Sequence, residues 1–388
     1  MNQRRRCEWR RAATGAFLVV AGCGGGSSIP GAPAAPELVD SGAGGARSGG
    51  APPDGHRPGL PLVLVADVDL PGKPNSFDYQ DIDAVRGHLI VAHMNDASVL
   101  VVDLKDGAVL KLLPNIATAR GVVAAPDVGR IFVTSSPNQL VVIDNTSLTE
   151  VSRASTGRSP DGVGWDSVHE VVAVSDQGDG AVSLIPASGA GARAQVKLGS
   201  ATGNVVFDAS RAQFWVSVET ASPPDQLVAI DPVAGTVVTR IGLPGCEAAH
   251  GLRIHPDGKS AFIACERNAT LARVDLADAH AVVTAKTGNG PDVLSVDPGL
   301  GWLYVAAESG DLTVFDIGQP GLVAIDHEHP GDNAHSVAVY PATHRVYFPL
   351  MVGPKGTPVT FFRRSNRASS AGGTRDQSFV TSKSSKST

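Results

Sequence analysis

The sequence predicts an all-β fold, a seven-bladed β-propeller with four-stranded blades. Three observations carry that expectation: a repeat, its strand content and its closure. Seven segments share a short apolar run, a turn and a second apolar run, as in "RGVVAAPDVGRIFVTS", "HGLRIHPDGKSAFIAC" and "DVLSVDPGLGWLYVAA". Most are followed by a third run ending in aspartate, at Asp103, Asp144, Asp231, Asp275 and Asp316, with Pro186 at that place in the third repeat. A fourth run such as "TVVTRIGL" completes a unit of about 41 to 48 residues. Runs rich in Val and Ile, bounded by turn residues, read as strands. Four strands at this period are the mark of a propeller blade. The three-and-four apolar spacing of a helical solenoid is absent.

The repeat also closes. The seventh unit, from His335, supplies three strands, the last at Pro358 to Arg363. The segment "PLVLVADVDL" (Pro61 to Leu70) precedes the first unit without a partner and is expected to complete the last blade as its outermost strand. Such closure protects edge strands. The expected domain is residues 59–364.

Both ends differ from this core. Residues 1–22 pair a cationic start (Arg4, Arg5, Arg6, Arg10, Arg11) with a short apolar run, Ala12 to Val20, too short to span a bilayer. "VAGC" resembles the lipobox of bacterial lipoproteins, which implies lipidation at Cys23. An ordinary secretory signal is the alternative. Residues 23–58 are mostly Gly, Ala, Pro and Ser, the composition of a flexible tether, and residues 365–388 form a Ser/Thr-rich polar tail. The expectation is an exported monomer held at the cell envelope, touching the membrane through its lipid alone. A net charge of −6 and the lack of a basic, aromatic-interleaved patch argue against a nucleic-acid partner.

Propeller topology brings the entry to each inner strand and the loop after each second strand to one face. The entry residues are Asp81, Arg120, Asp161, Asn204, His250, Asp292 and His335; the loops add His93, Glu219, Glu266 and Glu308. A concave mouth on a rigid ring suits a small molecule or a protein partner. Imidazoles and carboxylates mixed in this way suit a divalent ion held by some of His250, Glu266, Asp292, Glu308 and His335. The alternative is polar lining of a wet axis, with no cofactor required. His255 reads as a solvated turn residue; His280, His327 and His329 read as too peripheral to join. The hairpin turn at Pro256 to Lys259 is expected to pair His250 with Cys265. Cys246 would then share its loop face, so a Cys246–Cys265 disulfide is expected in an exported chain. A thiolate metal pair lacks zinc-type spacing; two inert thiols remain the other option. There is no Gly-x-Ser-x-Gly elbow, no phosphate-cradling Gly loop and no Cys-x-x-Cys-His.

Units of the "VAHMNDASVLVVDLKDGAVL" kind, with "PDVLSVDPGLGWLYVAAESG" and "AHSVAVYPATHRVYFPL", resemble the YncE-like, YVTN-type seven-bladed propeller proteins of bacteria. The resemblance covers about 300 residues and implies the fold; relatives range from binding proteins to lactonases and haem enzymes. Two functions follow as expectations: a non-catalytic, membrane-anchored binding protein acting through the channel mouth, or a metal-dependent lactonase of the gluconolactonase kind. For the second, the likeness implies Asn and Asp ligands beside an inner-strand Asn-Gly. This chain has His250-Gly251-Leu252 there, and Gly203-Asn204 in reverse order.

Overall fold

The computed structural model describes residues 62–189, 194–277, 281–353 and 359–365. They form seven four-stranded antiparallel sheets. The inner strands are Gln80–Asp83, Val122–Ala125, Pro160–Asp166, Thr202–Asp208, Ala249–Ile254, Pro291–Asp297 and Ala338–Tyr340. Each lies beside the next, and the last lies beside the first. In six sheets the chain runs outward strand by strand. The remaining sheet orders Ala338–Tyr340, Arg345–Leu350, Val359–Ser365 and then Leu62–Asp69, with Leu62 opposite Ser365 and Asp69 opposite Val359. The molecule is a β-propeller with four-stranded blades.

Burial follows the sequence pattern. Second and third strands, such as His88–His93 and Ser98–Asp103, are nearly continuous apolar runs and are buried on both faces. Outermost strands such as Val109–Pro114 and Thr236–Leu243 mix polar and apolar residues and are half exposed. The core lies between adjacent sheets, where Ile90, Val101, Ile131 and Val141 belong to one cluster and Trp215, Leu227, Leu252 and Ile263 to another.

The repeated aspartates have a structural task. Asp144 accepts from the amides of Thr146 and Ser147, and Asp231 from Val233 and Ala234. Asp83, Asp166 and Asp297 do the same for the turns after the inner strands. A short carboxylate that accepts from amides two and three residues ahead fixes the turn.

The sequence-expected signal (residues 1–22), Cys23, the tether at 23–58, the tail beyond Ser365 and His280 lie outside the described residues. Among the described residues no helix is long and apolar enough to cross a membrane.

Cys246 and Cys265 are joined by a disulfide with Cα atoms 5.2 Å apart. Both are buried, in one cluster with Leu243, Ala249 and Ile263. The strand partner of Cys265 is Ala249, and not His250 as the turn suggested. Losing such a crosslink typically costs about 2–4 kcal/mol. Cys246→Ala is therefore expected to lower the unfolding free energy, read by denaturant titration, by that amount under oxidising conditions and to match wild type once the latter is reduced. Equal midpoints under oxidising conditions would contradict a stabilising bridge.

Candidate functional site

The mouth is built by register. In each sheet one residue stands fifteen positions before the last residue of the second strand. These residues are Asp78 (before His93), Arg120 (Ser135), Asp161 (Asp176), Gly203 (Val218), His250 (Cys265), Asp292 (Ala307) and His335 (Leu350). Strand pairing shows that the positions are equivalent: Gln80↔Val91, Val122↔Val133, Val163↔Val174, Val205↔Val216, Leu252↔Ile263 and Leu294↔Val305 all lie two residues inside them.

Close approach of neighbouring inner strands drives the ring together. The Gly121 amide donates to the Asp161 carbonyl at 3.1 Å, and Val293 donates to His335 O at 3.3 Å. Thr134 Oγ1 adds a 2.7 Å bond to the same Asp161 carbonyl, and Ser217 Oγ donates to His250 O. A Cβ at Gly121 would overlap Asp161 O, and one at Gly251 would overlap Asp292 O. Glycine is required there because the next backbone occupies the side-chain position.

Six of the seven ring residues, all but Gly203, line a cavity of about 280 Å³. The loops after the second strands add Met94, Gln177, Glu266 and Glu308; Ser76 and Asn333 complete the wall. One-turn 3₁₀ segments, Met94–Asp96, Gln177–Asp179 and Glu266–Asn268, aim the first three of these inward. The lining carries five carboxylates against one guanidinium and two imidazoles.

Several expected site residues lie elsewhere. Asp81 and Asn204 sit further along their inner strands and line a different cavity, because the ring positions of their sheets are Asp78 and Gly203. His93 is buried, stacked on Phe77 at 4.1 Å, and does not line the cavity. Glu219 follows its second strand as Glu266 does, but it turns outward to pair with Arg267. His255 is a turn residue, as expected, yet half-buried, with Nδ1 2.7 Å from Asp257 and its ring against Phe262. His327 and His329 do gather, around Asp311, at an exposed place outside the cavity. Asp78 was missed; the constant fifteen-residue spacing is the signal that finds it.

His250 is the electrostatic centre. Its Nε2 faces Asp161 Oδ2 at 3.3 Å and Asp292 Oδ1 at 3.7 Å, and its Nδ1 faces Glu266 Oε1 at 3.5 Å. Burial alone would lower its pKa, but contact with Asp161 and the charges of Asp292 and Glu266 outweigh that and raise it well above the usual value. Burial likewise pushes Asp161 up, and its contacts with His250 and Arg120, the latter at 3.3 Å, reverse the shift to a lowered pKa. Asp78 is not brought down in this way: burial, then Asp161 and Asp292, outweigh the lowering pull of Arg120 and His250 and raise its carboxyl well above the ordinary range. Glu266 is pushed up to about 7 by burial, against His250, with Asp292 and Glu308 adding to the rise.

Two triads can converge on an ion, with ligand atoms within 4.8 Å of one another: Asp78, Asp292 and His335, all buried, and His250, Glu266 and Asp292. Asp292 is common to both, and its Oδ1 is buried with no hydrogen-bond partner. His335 Nδ1 is occupied by Asn333 O at 3.1 Å, which leaves Nε2 for a ligand. Glu308 belongs to neither triad.

No protein-family model matches the chain, and no curated protein matches it. Solved structures do. Hydrazine synthase of Kuenenia stuttgartiensis is 17% identical with a TM-score of 0.62, covering 73% of this chain and 94% of that one. Selenomethionine-substituted virginiamycin B lyase from Staphylococcus aureus is 12% identical with a TM-score of 0.64, covering 78% of this chain and 99% of that one. At such identities the likeness establishes the β-propeller fold alone.

The raised pKa of Glu266 has a definite linkage sign. A carboxyl that titrates near 7 in the folded chain and near 4.5 unfolded contributes most below 4.5, and that contribution falls as pH rises through 7. His250, also raised, acts in the same direction at higher pH. In EDTA, Glu266→Gln should therefore flatten the fall in melting temperature between pH 5 and 8. Parallel wild-type and variant curves would contradict the raised pKa.

Proposed function

We propose that this chain is a ligand-binding propeller of the YncE-like kind whose axial cavity takes a divalent cation. The observation that carries it is Asp292, which belongs to both candidate triads and whose Oδ1 is buried without a hydrogen-bond partner. A buried carboxylate oxygen left unpaired is costly unless a cation or donor arrives. Of the two triads, Asp78–Asp292–His335 suits the ion better. His250 already acts as the resident cation between Asp161 and Glu266, whereas Asp78 and His335 have no charged partner of opposite sign within 4.0 Å among the described residues. Two carboxylates and one imidazole favour Mn²⁺ or Zn²⁺ over an all-oxygen Ca²⁺ cage. Anchoring through Cys23 would display this mouth at the envelope, for an exported monomer that meets a small molecule or a protein partner there.

One observation favours a second reading, metal-dependent hydrolysis of a lactone or ester. A Glu266 carboxyl near pKa 7, at the rim of the ion site, is matched to proton transfer at neutral pH, and an ion beside it would polarise a carbonyl or activate water. Chelator-sensitive lactone turnover by the purified chain would establish it.

Calorimetric titration with Mn²⁺ and Zn²⁺ tests the binding. One ion per chain is expected, with Asp292→Asn and His335→Ala each weakening affinity at least tenfold, and Glu308→Gln by less than threefold. Affinity should rise with pH, because the ion displaces the proton on Asp78. No heat of binding to the wild type, or binding indifferent to Asp292→Asn, would overturn the proposal.

A further inference from the structure

The inner strands continue past the acidic ring to a second cavity of about 340 Å³. Three residues further along than Asp78, Gly203 and His250 stand Asp81, Val206 and Arg253, all lining it. Tyr79 lies between the two cavities. It lines the second, its chain neighbour Asp78 lines the first, and its hydroxyl feels Asp292, Asp161 and Asp78 on one side and Arg253 on the other. That hydroxyl is buried with no hydrogen-bond partner.

The wall of this cavity differs from the mouth. Trp165 and Phe207 are half-buried and line it, with Val122, Val163 and Val205 between. The Trp165 ring is held, with Phe132 5.5 Å away in a stack and Nε1 donating to Asp127 at 3.0 Å. Two opposite charges face the space. The Asp81 carboxylate is engaged: Oδ2 accepts from the Ala124 amide at 2.8 Å. Arg253 is not. Its one side-chain hydrogen bond among the described residues goes to Leu252 O at 3.0 Å, and no carboxylate there lies within 4.0 Å of it. A guanidinium has five N–H donors in a planar fork that matches a carboxylate. This one is half-buried beside aromatic and aliphatic walls.

We propose that this second cavity binds a small organic acid with a planar apolar body. Arg253 takes the carboxylate and Trp165 and Phe207 flank the body. The site is separate from the cation site of the proposed function and does not rest on it. The acidic mouth repels an anion, so the two ends of one axis sort ligands by charge.

Benzoate is the probe, with benzamide and benzylamine as neutral and cationic counterparts. The full chain is titrated in EDTA, so that the cation site stays out of play, and tryptophan emission is followed. Benzoate is expected to bind at least tenfold more tightly than either counterpart. Arg253→Gln should bring benzoate down to the level of benzamide, and Trp165→Phe should abolish the emission change. Equal affinity for benzoate and benzamide in the wild type overturns the proposal without any variant having to fold. So does undiminished benzoate binding in folded Arg253→Gln, or an unchanged emission response in folded Trp165→Phe.

Discussion

The molecule depends on how closely its inner strands approach around the axis. At Gly121 and Gly251 the next strand's carbonyl takes the place where a Cβ would stand. At Gly121 that contact is a backbone hydrogen bond between neighbouring sheets, and Thr134 and Ser217 add side-chain bonds to the next strands' carbonyls. Rigid sheets packed at such distance leave side chains at the strand entries little choice but to converge. Convergence of like charges in a space partly withdrawn from water is costly, so the electrostatics of the mouth follow from the packing of the ring.

The charges fall into two groups. Arg120 and His250 answer Asp161, and their attraction outweighs the effect of burial on all three. Asp78 has no ion pair within 4.0 Å among the described residues, and Asp292 meets only His250, at 3.7 Å. Asp78 responds by holding its proton, and Asp292 keeps an oxygen without a donor. A bound ion would relieve both at once. Past Tyr79 the balance changes: the acid there, Asp81, is engaged by backbone, and the base, Arg253, has its donors to spare. A single axis thus carries two chemically distinct ends.

The repeat, the turns and the pairing of Cys246 with Cys265 were legible because they rest on local pattern: apolar runs, Asp-capped turns and a hairpin of defined length. The mouth was legible in part. Arg120, Asp161, His250, Asp292 and His335 stand where the pattern placed them. Asp81 and Asn204 did not, because the apolar run alone does not locate the strand entry. For Asn204 a register shift between Thr202 and Val205 sets which residue stands at the entry; for Asp81 the paired strand begins only at Gln80, two residues past the ring position. Counting back from the second strand avoids the error. His93 and Glu219 misled for another reason: topology puts them near the mouth, but Phe77 and Arg267 capture their side chains. Arg253 and Trp165 drew no notice because nothing in a strand pattern distinguishes a residue that faces the channel from one that faces the core.

The proposed cation would sit inside the acidic ring. Anomalous diffraction from crystals of the full chain grown with Mn²⁺ tests it most directly. One peak is expected in the axial cavity, bonded to Asp292 and His335. A cavity filled with water alone, with Asp292 Oδ1 accepting from one of those waters, would contradict it.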